Sequence, residues 1–338
     1  MTTFGYTLMC EQTGPKELVR YAELAEKAAF DFAVISDHFH PWLEEQGESP
    51  FAWSVLGAVA DRTTRMQLMT MVTCPIIRYH PAVVAQMAAT IALMSDGRFM
   101  LGLGAGENLN VHVVGKGWPP AHIRHQMLEE AIEVIQELWK GDYVFYQGEF
   151  YSVHDAKIFS RPAEAPLILV AASGRESCDL AATSADGLIA TEPKAALVSD
   201  YRESGGQGPT YAQIALSWGR DERQAVKTAH RYFRFTLPAW KVMSELPNPV
   251  NFNAASKTVR EEDVAQAIPC GPDPEKHLQA IKKYVDAGFE HIAVLQAGDE
   301  QEGFIKFWTD ELRPRLEKAG MADRLQEAAA PAAGRSSR

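Results

Sequence analysis

The chain alternates between short apolar runs rich in β-branched residues and longer amphipathic segments, and this alternation constrains its fold most. A run that is apolar throughout is typical of a parallel strand buried on both faces, and the helical segment after it supplies the crossover. Eight such strands are predicted, at Phe4–Met9, Phe32–Ser36, Met66–Val72, Phe99–Leu103, Leu167–Ala171, Gly187–Ala190, Ile214–Ser217 and His291–Leu295. The pattern predicts an α/β protein in which residues 1–318 form a single (β/α)8 TIM-like barrel with insertions.

A doubly wound sheet is the alternative, and the end of the first strand disfavours it. The glycine-rich turn of a dinucleotide-binding unit is missing there, and Cys10-Glu11-Gln12 stands in its place. The clearest helices are predicted from Pro15 and at Phe51–Asp61, Pro81–Met94, His122–Trp139, His277–Ala287 and Glu302–Leu316.

Three segments depart from the alternation. Residues 144–153 are strand-like on both sides of Gln147-Gly148, which predicts a hairpin. Residues 238–263 carry three prolines and little periodicity, so they are predicted to run over one end of the barrel as a functional cover. Residues 326–338 are small and polar, which predicts a flexible C-terminal tail.

Composition limits the kinds of partner. With 33 basic and 44 acidic residues the net charge is −11, which argues against nucleic acid or an anionic membrane surface. There is no apolar run of about 18 residues for a membrane span, and the N-terminus shows no secretory leader pattern. The four cysteines include no CxxC pair, so we predict no metal site. We expect a cytoplasmic enzyme that acts on a small molecule.

In such a barrel, the site lies where the strands end. Glu11 follows the first predicted strand, His38 and Trp42 follow the second, and Glu107 follows the fourth. A histidine beside a carboxylate is a candidate general base near neutral pH. The turn at 171–174 offers backbone N–H groups to an anionic phosphate.

Plainer interpretations stay open for several of these residues. Ser36-Asp37-His38 also fits a helix cap with a local Asp–His hydrogen bond. Trp42 alone is more often a packing residue, and Lys194 alone is more often a solvated charge.

Together the motifs resemble one family, the F420-dependent glucose-6-phosphate dehydrogenases of the luciferase-like flavin and deazaflavin barrels. The resemblance runs from about residue 4 to 316. Its most specific parts are Ser36-Asp37-His38-Phe39-His40-Pro41-Trp42 and Gly106-Glu107-Asn108-Leu109-Asn110, supported by Cys10-Glu11-Gln12 and residues 78–86.

The resemblance implies a hydride transfer between a substrate carbon bearing a hydroxyl and C5 of coenzyme F420. It implies that His38 takes the hydroxyl proton, that Trp42 forms a wall beside the substrate, and that Glu107 handles the proton on the cofactor ring. Glu11 is implied as a second active-site carboxylate, and Asp37 as the group that orients the imidazole. The implied cofactor contacts are Asp37, Met71, Val72, Ala105, Gly106, Asn110, Ala171, Ala172, Ser173 and Gly174. A non-proline cis peptide is implied at Met71-Val72, and a homodimer is implied as the assembly.

The substrate is where the chain departs from the family. Lys194 matches one phosphate-binding cation, but the positions of two others fall near Met243 and Gln266-Ala267. Losing two cations weakens a dianion site, so a sugar, a sugar phosphate or another alcohol are all open as substrates. An FMN-dependent monooxygenase is the alternative activity, and a non-catalytic barrel is a third hypothesis.

Overall fold

The computed structural model describes residues 1–323, so the predicted tail at 326–338 lies outside the described residues. The strands are β1 (Thr3–Leu8), β2 (Phe32–Ile35), β3 (Gln67–Thr70), β4 (Phe99–Leu103), β5 (Val144–Gln147), β6 (Ser152–Ala156), β7 (Ile168–Ala171), β8 (Gly187–Ala190), β9 (Thr210–Leu216) and β10 (His291–Gln296). The α-helices are α1 (Pro15–Lys27), α2 (Ala52–Arg62), α3 (Pro81–Met94), α4 (Asn108–Val111), α5 (Ala121–Trp139), α6 (Arg175–Ser184), α7 (Ala195–Glu203), α8 (Glu222–Phe233), α9 (Trp240–Met243), α10 (Pro249–Ser256), α11 (Glu261–Ala267), α12 (Pro274–Asp286), α13 (Gln301–Phe307) and α14 (Arg313–Lys318).

Eight of these strands close into a parallel barrel. The order around it is β1-β10-β9-β8-β7-β4-β3-β2, while β5 and β6 form a separate antiparallel hairpin. Because the sheet closes on itself, the doubly wound alternative is wrong and the predicted TIM-like barrel is confirmed. In the part of the chain described, no helix combines the length and the apolar character that a bilayer span requires.

Side chains fill the barrel interior. Phe32, Met69, Leu169 and Tyr211 are among the residues of one buried cluster that packs inside the strands. A Cβ at Gly5 would lie 2.2 Å from the Phe32 ring, so a glycine at that point of β1 makes room for the ring. A larger cluster lies between the strands and the surrounding helices, as expected for strands buried on both faces.

Two regions differ from the prediction. β9 begins at Thr210, four residues before the predicted start, because polar side chains in its first half have partners within the barrel. Gln213, for example, donates to Thr7 Oγ1 at 3.2 Å. The closing helix is interrupted by a π-helical turn at Trp308–Leu312, which joins α13 to α14.

The segment 238–263 is helical rather than irregular. It contains α9, α10 and the start of α11. Apolar side chains from this segment pack with residues that follow the strands in a second buried cluster, which includes Met9, Leu43, Leu109, Met243 and Phe252. The segment therefore lies at the end of the barrel where the strands finish, which is also where the predicted site residues lie.

Candidate active site

His38 and Glu11 form the centre of the site. His38 Nδ1 lies 2.7 Å from Glu11 Oε1, and the two side chains are 10% and 1% exposed. The hydroxyl of Ser36 donates to the other Glu11 oxygen at 2.7 Å and accepts the Cys10 N–H at 3.1 Å. The carboxylate is thus held on both oxygens, and it fixes the imidazole with Nε2 directed away from it.

The two groups shift each other's pKa. Burial raises the pKa of the Glu11 carboxyl, but the charge and hydrogen bond of His38, with the Ser36 hydroxyl, outweigh it and the pKa lies below its usual value. Burial lowers the pKa of His38, but Glu11 and then Glu107 outweigh it and the pKa is raised. Because Nδ1 faces the Glu11 carboxylate at 2.7 Å, Nε2 is the ring nitrogen left open on the side away from Glu11.

Glu107 lies on the other side of the ring. Its Oε1 is 3.9 Å from His38 Nε2, and its side chain is 14% exposed. Asn110 donates from Nδ2 to this same oxygen at 2.5 Å, while its Oδ1 accepts the backbone N–H groups of Phe39 and His40 at 2.7 and 3.0 Å. A single buried amide therefore links the loop after β2 to the residues after β4 and sets the distance between the imidazole and Glu107.

Asp37 does not orient the imidazole, so that expectation is wrong. Its carboxylate accepts hydrogen bonds from four side chains, which are Arg78, Tyr79, Trp53 and Thr73, at 2.7 to 3.1 Å. Successive residues of an extended segment point to opposite faces, so Ser36 and His38 share one face and Asp37 lies on the other. Arg78 also donates to the Asp37 carbonyl at 2.7 Å and so holds the backbone next to His38.

Trp42 forms an aromatic wall beside His38. The centroid of its ring lies 4.7 Å from that of the imidazole, with the planes at 71°. On its face it stacks with Phe235 at 4.8 Å and 12°, and it meets Phe252 and Trp240 at 5.3 and 6.0 Å. Two of these partners, Trp240 and Phe252, come from the segment 238–263.

Small residues line the mouth of the barrel next to these groups. The cis peptide that the resemblance implied joins Met71 to Val72. A Cβ at Gly104 would lie 2.7 Å from Val72 Cγ2 and 3.6 Å from the Ala171 Cβ. Gly106 adopts φ +74° and a Cβ there would meet Cys74 Sγ at 2.4 Å, so both features require glycine. Gly106 and Ala105 lead the chain from β4 to Glu107.

The turn at 171–174 and Lys194 lie after the next two strands of the barrel. The N–H groups of Ser173 and Gly174 donate to Ser177 Oγ at 3.1 and 3.3 Å, at the start of α6. Ala172 N–H is bonded to the Ile189 carbonyl within the sheet. Lys194 precedes α7 and pairs with Glu192 at 2.7 Å, where both side chains are about half exposed.

Sequence reasoning missed three features of the site. It gave no role to Ser36 and did not find the Asn110 bridge or the Arg78 contact with Asp37. All three residues stand inside the motifs on which the resemblance depends. The sequence does not state the direction in which each side chain points. For Ser36 and Asp37, that direction could have been predicted from the alternation of side chains along the extended segment after β2.

The fold and the site define a barrel enzyme with a buried acid–base cluster where its strands end, and comparisons with known proteins agree. The family model of luciferase-like monooxygenases matches residues 2–291. An F420-dependent glucose-6-phosphate dehydrogenase of Microbacterium testaceum (strain StLB037) is 37% identical over 328 residues, covering 93% of this chain and 97% of the relative. One of Amycolatopsis mediterranei (strain U-32) is 34% identical over 334 residues, covering 95% and 100%.

A solved structure has the same fold. It is an F420-dependent secondary alcohol dehydrogenase in complex with an F420-acetone adduct, with a TM-score of 0.85 and 26% identity, covering 91% of this chain and 97% of that one. The chain belongs to the luciferase-like monooxygenase family. The resemblance inferred from the motifs is thereby confirmed.

Proposed function

We propose that this protein is an F420-dependent dehydrogenase that oxidises the hydroxyl group of a small alcohol, a sugar or a sugar phosphate of the glucose-6-phosphate class. The observation that carries the proposal is the buried Glu11–His38–Glu107 cluster beside Trp42. In this reaction the alcohol becomes a carbonyl compound by losing a hydride from carbon and a proton from oxygen. A base within hydrogen-bond reach of the hydroxyl is therefore required.

His38 Nε2 is the group that we assign to the hydroxyl proton. Nδ1 is committed to Glu11, which keeps Nε2 free to accept and stabilises the charged ring that forms. The Ser36 hydroxyl holds Glu11 in the orientation that this needs. The Trp42 ring packs against the imidazole at a steep angle and forms the wall on that side.

Glu107 has the complementary role. Its carboxyl lies on the Nε2 side of His38, is partly exposed, and is held by Asn110. We assign to it the proton on the cofactor side of the site. Because it lies within 3.9 Å of Nε2, it also adds to the electrostatic stabilisation of the protonated imidazole.

We place the cofactor ring at the mouth of the barrel, beside the Met71–Val72 peptide. The neighbouring Gly104 and Gly106 pack too closely against Val72 and Cys74 for a Cβ to fit there. We propose that Met71, Val72, Ala105 and Gly106 contact the ring system of the cofactor. We place the cofactor phosphate at the turn 171–174, where the backbone N–H groups would have to leave Ser177 Oγ in order to donate to it. When bound, F420 supplies a C5 position that accepts the hydride.

Cofactor and substrate titrations test this proposal. We expect F420 to bind and its oxidised chromophore to be lost when a suitable alcohol is added. Tight FMN binding without F420 binding would favour the monooxygenase instead. Binding of both without turnover of any alcohol would point to a non-catalytic role.

A cytoplasmic location and a homodimer belong to the same proposal. The four cysteines, Cys10, Cys74, Cys178 and Cys270, are free and buried, which suits a reducing compartment. Helix α3 exposes the apolar side chains of Val83, Leu93 and Met94, which we assign to the contact between subunits. Light scattering of the purified protein would give a mass of two chains if the dimer is correct.

A further inference from the structure

We infer that the substrate is an uncharged alcohol whose apolar body packs against the indole rings of Trp42 and Trp240, rather than a phosphorylated one. This inference rests on the proposed function and narrows its substrate class. It depends on the aromatic cluster beside His38 and on the charges around that cluster.

The aromatic cluster has two layers. Phe235 and Phe252 are 7% and 0% exposed, so they serve as the support. Trp240 keeps 46% of its surface exposed and Trp42 is partly exposed, and both contact the support or each other. The exposed part of this cluster therefore consists of indole rings, which prefer apolar bodies and flat ring faces.

The charges at this end of the barrel disfavour a dianion. The carboxyl group of Glu11 lies 2.7 Å from His38 and places negative charge near the reacting hydroxyl. A phosphate attached to the substrate would need cations with free hydrogen-bonding capacity, because charge-assisted hydrogen bonds are what hold phosphate groups.

The cations nearest in the chain to the aromatic residues are Arg234 and Lys241, and they differ in burial. Arg234, next to Phe235, is 7% exposed and donates to Glu45 at 2.7 Å and to Asn253 at 2.9 Å. Lys241 follows Trp240 but is exposed, whereas Met243 on the same helix is the residue that turns into the buried cluster.

Two further lysines are candidates for a phosphate. Lys194 pairs with Glu192 at 2.7 Å, and Lys257, directly after α10, is exposed. A single exposed ammonium group is a weak anchor for a dianion, because exposed charge pairs contribute little. Electrostatics and apolar contact therefore both favour the uncharged substrate.

The test compares matched substrates on the F420-loaded enzyme. We expect a higher kcat/KM for cyclohexanol and glucose than for glucose-6-phosphate. Replacing Trp240 with alanine is expected to raise KM for cyclohexanol about 3- to 10-fold with little change in kcat, because it removes one aromatic contact. Val242→Ala is the matched control, since Val242 lies on the same short helix, is exposed, and is outside the ring cluster.

Binding to the cofactor-free protein gives a second measurement. Calorimetry should show no saturable binding of inorganic phosphate at millimolar concentration. A tenfold preference for glucose-6-phosphate over glucose, or saturable phosphate binding, would overturn the inference and leave the dehydrogenase proposal intact. Failure of every alcohol to reduce bound F420 would instead refute the dehydrogenase proposal. An equal KM increase in Trp240→Ala and Val242→Ala would show that the indole contact is not specific and would also overturn the inference.

Discussion

Two buried carboxylates, Glu11 and Asp37, lie on opposite sides of the segment that carries His38, and they have different hydrogen-bond and ion-pair partners. Glu11 is held by one titratable ring and one hydroxyl. Asp37 is held by an arginine and three neutral donors, with its side chain fully buried. Asp37 is therefore paired with a permanent cation, whereas Glu11 is paired with a ring that can gain and lose a proton.

The comparison separates chemistry from scaffold within three consecutive residues. The face of Ser36 and His38 carries the proton-transfer groups. The face of Asp37 anchors the same backbone through Arg78. Changes on the first face should alter rate and pH dependence, and changes on the second should alter stability.

The largest effect is expected for His38→Ala. Turnover should fall about 10²–10⁴-fold, because general base catalysis by a placed imidazole contributes that much. F420 binding, followed by titration of its absorbance, should remain. Unchanged turnover would remove His38 from the role of base.

Asp37→Ala removes the carboxylate that anchors the other face of this segment. It leaves the Arg78 guanidinium buried without its carboxylate, so the free energy of unfolding should fall by about 3–5 kcal/mol. Urea denaturation measures this. Glu302→Ala, which removes an ion pair between exposed side chains with Arg20, is the control and should change stability much less. A stable Asp37→Ala protein that has lost only activity would contradict the scaffold role.

Glu11→Gln should move the pH dependence of alcohol oxidation. Oxidation needs neutral His38, so the rate of the native enzyme falls as the pH drops below the raised pKa of His38. Without the charge of Glu11 the pKa of His38 falls, so the acidic limb should move to lower pH. The profile of kcat/KM against pH checks this, and a shift to higher pH would refute it.

Asn110→Asp should give the smallest effect. The new carboxylate can still accept the Phe39 and His40 N–H groups but repels Glu107 instead of donating to it. We expect kcat to fall about tenfold, since one charge-assisted hydrogen bond is lost, with little change in unfolding temperature. Asn108→Asp is the matched control on the same helix, because Asn108 Nδ2 donates to the Glu245 carbonyl and not to Glu107. Equal losses in the two variants would mean that Asn110 has no special link to Glu107.

The sequence predicted the barrel and the convergence of Glu11, His38, Trp42 and Glu107, because apolar runs mark parallel strands and such strands end at one rim. The resemblance implied Asp37 as the carboxylate that orients the imidazole, whereas Glu11 is the carboxylate beside it in the structure. The sequence also predicted no helices in 238–263. The helices there are short, and the positions of their apolar residues match the side chains they pack against rather than a helical period.

The most direct test follows the ring nitrogens of His38 by nitrogen-15 NMR as the pH is varied, with His38→Gln used to assign the signal. The structure predicts a pKa above that of an ordinary histidine, with Nδ1 protonated throughout and Nε2 losing the proton. A pKa below the ordinary value, or loss of the proton from Nδ1, would contradict the pairing of His38 with Glu11 and its assignment as the base.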